Sequence, residues 1–167
     1  MDLLPDEVAL DDDPIDVVEA VISNDDRFEV ERGPDGDLTF STRGLWADIT
    51  GAFAWREELP AVLMTVSMDL VAPKEMRTEA ARLTVLINEH LWLGHFDFWL
   101  DDGSIVFRQS IPMLGRGELM PHEAHVLIVT AIDAADRFYP AYLHLFREGG
   151  TAEDAARAAI FETIGEA

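Results

Sequence analysis

The spacing of apolar residues along this chain changes period several times, and each change marks the border of an element. The stretch from Pro73 to His144 shows it best. Met76, Ala80, Leu83, Val85, Leu86 and Ile87 recur at helical spacing, and so do Ala124, Leu127, Ile128, Ala131, Ile132, Ala135, Phe138 and Leu145. Between these helices the period drops to two. Phe96, Phe98 and Leu100 alternate with His95, Asp97 and Trp99, and Ile105, Phe107 and Ile111 oppose Val106, Arg108 and Ser110. Asp101-Asp102-Gly103-Ser104 supplies the turn of this hairpin, since Asp and Gly tolerate the positive φ values of tight turns. One face of the hairpin must pack on both helices.

The N-terminal half alternates in the same way. Asp13 is placed to cap a short helix with Pro14 at its first position and Ile15, Val18, Val21 and Ile22 as its buried stripe. Phe28 to Arg32 and Leu38 to Arg43 read as strands around Gly33-Pro34-Asp35-Gly36. Trp46 to Trp55 follows, with Ala47, Ile49, Phe53 and Trp55 inward and Asp48 and Thr50 outward. Val62 to Leu70 then places Val62, Met64, Val66, Met68 and Leu70 inward and Thr65, Ser67 and Asp69 outward, so the sheet has one wet side. Ala72-Pro73 ends that strand and starts the central helix. Pro121 opens the long helix, Glu148-Gly149-Gly150 closes it, and Thr151 caps a last helix with Ala152, Ala155, Ala156, Ala159, Ile160 and Ile164 on one face. The fold class is therefore α+β with an antiparallel sheet, in the order α-β-β-β-β-α-β-β-α-α. Residues 1–13 read as a mobile acidic arm and residues 14–167 as one domain.

Composition narrows the chemistry. With 167 residues and 49% hydrophobic content there is material for one sizeable core. Cysteine is absent, which removes disulfides, thiolate nucleophiles and cysteine metal sites. The 33 acidic against 12 basic residues give a formal charge of −21. The basic residues are scattered singly, so the chain would repel phosphate backbones and anionic lipid, and neither nucleic acid nor a membrane is expected as partner. The acidic N-terminus lacks the basic flank and apolar core of a signal peptide, which implies a soluble cytoplasmic protein.

Candidate catalytic groups each have a structural explanation. His122, Glu123 and His125 depart from the HExxH spacing that sets two imidazoles on one helical face, and no third metal ligand is evident. His90 and His95 bracket a helix-to-strand turn, where a histidine suits the helix dipole. Asp101 and Asp102 serve as turn formers. Ser41, Ser67, Ser104 and Ser110 lack a nucleophile-elbow context, and no phosphate-binding glycine pattern occurs. Arg116, between Gly115 and Gly117, is a candidate contact in a pliable loop. No catalytic residue, cofactor or metal is expected. If Phe96 and Phe98 face the core, alternation sends Trp99 to the wet face together with Val106, Trp46 and Leu63. Such an apolar patch serves either a partner, a second copy of the chain included, or intramolecular cover by the last helix or the N-terminal arm.

The run Glu79-Ala80-Ala81-Arg82-Leu83-Thr84-Val85-Leu86-Ile87-Asn88, then Gly94-His95-Phe96-Asp97, Gly103-Ser104-Ile105-Val106-Phe107-Arg108, Ala131 through Ala135-Asp136, and Tyr139-Pro140-Ala141, resembles the YbjN family of bacterial sensory transduction regulators. The resemblance covers about the central and C-terminal two thirds of the chain. That family is similar in fold to type III secretion chaperones, small acidic α+β proteins that are often dimeric and hold partner polypeptide on their surface. The resemblance implies helices packed on one side of a twisted antiparallel sheet and brings no catalytic site with it. Within the pattern, Asn88 and Gly94 read as helix-end and turn residues, Arg108 and Asp136 as an ion pair, and Pro140 as a helix kink or boundary. The expectation is a non-enzymatic chaperone-like or regulatory protein, a homodimer, that binds a partner polypeptide through Trp46, Leu63, Trp99, Val106 and Arg108. The alternative is a small-ligand sensor with a pocket between the long helix and the sheet. A third reading is an acid-base or metal enzyme built on His122 and His125.

Overall fold

Six strands with period-two alternation pair side by side because each has only one apolar face to bury. The computed structural model describes residues 13–56, 58 and 60–164, the last five by backbone alone. The elements follow the expected order: α1 (Pro14–Ile22), β1 (Phe28–Arg32), β2 (Leu38–Arg43), β3 (Asp48–Arg56), β4 (Ala61–Val71), α2 (Arg77–Asn88), β5 (His95–Phe98), β6 (Ser104–Pro112), α3 (Pro121–Glu148) and α4 (Ala152–Ile164). The strands form one antiparallel sheet in the order β1-β2-β3-β4-β6-β5. The class is α+β, as the alternation predicts. The acidic arm lies outside the described residues except for Asp13, whose Oδ1 accepts from the Ile15 N–H at 2.9 Å and caps α1.

The core lies between one sheet face and the helices. Phe40, Ile49, Phe53, Val62, Met64, Val66, Phe96, Ile105 and Phe107 point into it from the strands, and Ile15, Val18, Leu83, Ile87, Leu127, Phe138, Tyr142 and Leu145 meet them from α1, α2 and α3. Phe96 stacks edge-on against Phe107, Phe138 and Tyr142, with ring centroids 5.3, 6.1 and 6.0 Å away. The Tyr142 hydroxyl has one buried partner, Thr84 Oγ1 at 2.9 Å, and burial pushes its pKa upward. Ala152, Ala155, Ala156 and Ala159 let α4 lie close to α2 and α3, while the side chains of Ile160 and Ile164 lie outside the described residues.

Several expectations need correcting. Val85 is 63% exposed and does not belong to the α2 stripe, where buried Thr84 takes the neighbouring position. Met76 sits in a 3-10 turn (Lys74–Met76) ahead of α2. Leu100 is 77% exposed because the chain leaves the sheet after Phe98 and the β5–β6 turn begins. Two extra residues, Met68 and Asp69, bulge from β4 between the pairs Ser67–Val106 and Leu70–Ile105; because the insertion is even, the alternation survives it. Asp69 adopts a φ of 55°, with its N–H held by Ser67 Oγ at 3.2 Å. Pro140 lies inside α3 and is no boundary, since the helix runs on for two more turns to Glu148. Arg108 and Asp136 form no pair. Arg108 bonds Asp97 at 2.8 Å, and Asp136 accepts from the Leu45 N–H at 2.7 Å, tying the β2–β3 turn to α3.

Candidate functional site

All four helices lie on one side of the sheet, so its other side is bare among the described residues. Register fixes what that side presents. Ala52 lies opposite Thr65, Ala54 opposite Leu63, Thr65 opposite Arg108, Leu63 opposite Ser110, Ser67 opposite Val106, and on the far strand His95 opposite Arg108 and Asp97 opposite Val106. These side chains are small or polar except for Leu63 and Val106. Where the covered face carries a large apolar group on almost every strand position, this one carries alanine, serine and threonine.

Small side chains leave a trough. It holds about 590 Å³ and lies toward the end of the sheet where β5 begins and β6 finishes. Ala52, Ala54 and Leu63 line it, and Trp92 and Leu93, in the α2–β5 connection, stand at its rim. Trp92 is 99% exposed, an unusual position for the largest apolar side chain. The connection is held in place from below. The Asn88 side chain donates to the Phe96 carbonyl at 2.9 Å and accepts from the Phe96 N–H at 2.8 Å, and Gly94, at a φ of 69°, lies so close to the Phe107 ring that a Cβ would sit 2.2 Å from it.

The charges of the trough come in pairs. Arg56 grips Asp37 through two hydrogen bonds of 2.8 and 3.0 Å, and the hydrogen-bonded guanidinium holds the Asp37 carboxyl below the usual carboxylate range. Arg108 bonds one oxygen of Asp97, and His95 Nε2 lies 3.7 Å from the other. A floor that mixes Ala52, Ala54 and Leu63 with Thr65 and Ser110, between charged pairs, suits a polypeptide, whose backbone needs hydrogen-bond partners along with side-chain contacts. Among the described residues no three His, Asp or Glu side chains gather as a metal-binding group. His122 and His125 both lie exposed on α3. Arg116 pairs with Glu123. Burial disfavours that carboxylate, but the Met120 N–H and Arg116 bonds outweigh it, so its pKa falls.

The five residues singled out from sequence do not form one patch. Leu63 and Arg108 line the trough. Val106 shares their face, yet it is only 4% exposed. Trp99 follows β5 in the hairpin turn, where its N–H donates to the Ser104 carbonyl at 2.9 Å. Trp46 precedes β3 in the turn tied to α3, so its placement inside an alternating strand is corrected. Three strand spacings, roughly 14 Å, separate the two tryptophan turns. The trough residues missed from sequence are Trp92, Leu93, Ala52, Ala54 and the Asp37–Arg56 pair. A readable signal existed in Leu91-Trp92-Leu93, three large apolar residues in a connection that belongs to no strand or helix. α4 packs on α2 and α3, so it does not cover the bare face.

A second cavity, about 300 Å³, lies at the side of the helix layer, with Val21, Ile22, Phe28, Ile128, Val129 and Ile132 among its walls and His125, Arg43 and Asp133 at its rim. Between α3 and the sheet, where the alternative reading puts a ligand pocket, Phe138 and Tyr142 are buried in the core. No described helix is long and apolar enough to cross a membrane.

Against models of known protein families, residues 14–144 match the one named YbjN and described as "Putative bacterial sensory transduction regulator". Among curated proteins none matches.

Proposed function

The chain belongs to the YbjN family, and from that premise we propose that it is a non-enzymatic regulatory protein, acting in the cytoplasm, that holds a partner polypeptide against the bare face of its sheet. The observation that carries this reading is the trough itself, a floor of Ala52, Ala54 and Leu63 interleaved with Thr65 and Ser110 beside the exposed Trp92, framed by the ion pairs Asp37–Arg56 and Asp97–Arg108. An exposed tryptophan next to a concave surface of small apolar and hydroxyl side chains suits an interface centre, and paired charges around it select register and partner. Leu63→Glu puts a carboxylate on the floor without touching the core. We expect a co-purified partner to be lost from that variant and kept by Val85→Glu, an exposed change on the opposite side. Equal retention of the partner by both variants would remove the trough from the reading.

Self-association belongs to the same proposal. Leu45, Trp46, Val71, Trp99 and Leu100 are all exposed at the end of the sheet that holds the β2–β3 and β5–β6 turns. Light scattering of a homodimer gives twice 18.6 kDa, and the single value at working concentration rejects it. The cavity beside α1 and α3 favours a second reading, a sensor of a small ligand with both apolar and polar parts, because apolar side chains share its walls with Asp25, Arg27, Thr42, Arg43, His125 and Asp133 and its volume is near the lower bound for such sites. A ligand-dependent rise in melting temperature that Val129→Asp abolishes supports that reading, and no rise across a metabolite panel rejects it.

A further inference from the structure

The two edges of the sheet are finished differently. At β5 the outward backbone groups of Phe96 are both taken by the Asn88 side chain, which closes that edge as a neighbouring strand would. At β1 the Gly33 N–H donates to the Asp37 carbonyl at 2.8 Å. Stepping back by twos along the register, Glu31–Thr39 and Glu29–Ser41 are the pairs that exchange hydrogen bonds with β2. The N–H and C=O of Val30 and of Arg32 therefore point away from the sheet, and among the described residues no backbone or side-chain group bonds them. Glu29 and Glu31 project together on the bare face beside this edge, and neither carboxylate meets a basic side chain among the described residues.

We propose that β1 is a docking edge for an extended partner segment with lysine or arginine at alternate positions, which adds as a seventh strand and sets those bases beside Glu29 and Glu31. Charge selects this occupant over two others. A second copy pairing β1 with β1 about Val30 would set Glu29 of each chain against Glu31 of its mate, two like-charge cross-strand pairs that oppose association. The first twelve residues of the chain carry Asp2, Asp6, Glu7, Asp11 and Asp12 with no base, and meet the same objection. The backbone bonds supply affinity and the alternate bases supply selectivity. The partner class rests on the polypeptide-binding reading above; the place of docking does not depend on the trough.

The test uses the full chain and two short acetylated peptides, one alternating lysine with threonine and one alternating glutamate with threonine. We expect the lysine peptide to bind and to slow amide exchange at Val30 and Arg32, and the glutamate peptide not to bind. Glu29→Lys with Glu31→Lys weakens the lysine peptide by about tenfold or more and admits the glutamate peptide. Val30→Pro removes an outward donor while sparing every bond to β2, and abolishes binding in a chain that still melts cooperatively. Should that variant fail to fold, a lysine peptide N-methylated on alternate residues tests the same bond from the other side and should not bind. Absence of binding by the lysine peptide, indifference to peptide charge, or unchanged exchange at Val30 overturns the proposal. If a native partner is lost with Leu63→Glu but is unaffected by the double charge reversal, the trough reading stands and the docking edge falls.

Discussion

Both faces of the sheet are built from the same six strands and the same alternation, yet they differ in what a substitution can damage. On the covered face Phe53 is fully buried beneath α1, and Phe96 and Phe107 beneath α2 and α3, so each position is fixed by its neighbours. On the bare face Ala52, Ala54, Thr65 and Ser67 touch little beyond their own sheet. Stability is thus concentrated on one side of the backbone, which leaves the other free to carry a binding surface at small cost to the fold.

The comparison is broken most severely by Phe107→Ala. It removes the ring that stacks nearest to Phe96 in the aromatic cluster and should lower unfolding free energy by about 3–5 kcal/mol, read from urea titration. Asn88→Ala comes next. It strips the partners from the buried Phe96 N–H and C=O and opens the β5 edge, so about 2 kcal/mol is expected, with amide exchange at Phe96 rising before global unfolding. Leu63→Glu sharpens the contrast from the other side. It should change stability by less than about 1 kcal/mol while removing the partner, a separation of effects that no covered-face substitution gives. The smallest effect concerns an exposed ion pair at the β1 entrance. The side-chain bond from Arg27 lowers the Asp25 carboxyl to about 2. Its folded pKa lies below its unfolded one, so whatever the pair contributes is present above the ordinary carboxylate range and is lost as pH falls toward 2. Arg27→Gln should raise the Asp25 midpoint, followed by carbonyl NMR, part of the way toward 3.8, because the backbone N–H of residue 27 still bonds the carboxylate.

Period-two alternation made the strands and their inward residues legible: Ile49 and Phe53, Val62 to Leu70, and Ile105 and Phe107 all fall where spacing puts them. It failed where the chain leaves the lattice. Trp46 and Leu100 continue the alternation in sequence but lie beyond the strand ends, in turns where it has no meaning. The two-residue bulge at Met68 and Asp69 leaves no trace in the pattern because it preserves parity. Asn88 read as a helix end, yet its role depends on Phe96 lying beside it, which only the folded chain provides. The trough was illegible for the same reason. Ala52 and Ala54 look like filler in sequence and become a floor only when Leu63 is paired beside them and Trp92 stands at the rim.

Fluorine NMR of the chain labelled with fluorotryptophan tests the bare-face reading most directly, because its four tryptophans report four places. Trp92 stands at the trough, Trp55 packs against the core, and Trp46 and Trp99 mark the two turns at the opposite end. On adding the co-purified partner, the Trp92 resonance should shift and lose its solvent isotope effect while Trp55 stays where it was. A partner that moves Trp55, or that leaves Trp92 untouched, would place binding elsewhere and contradict the claim.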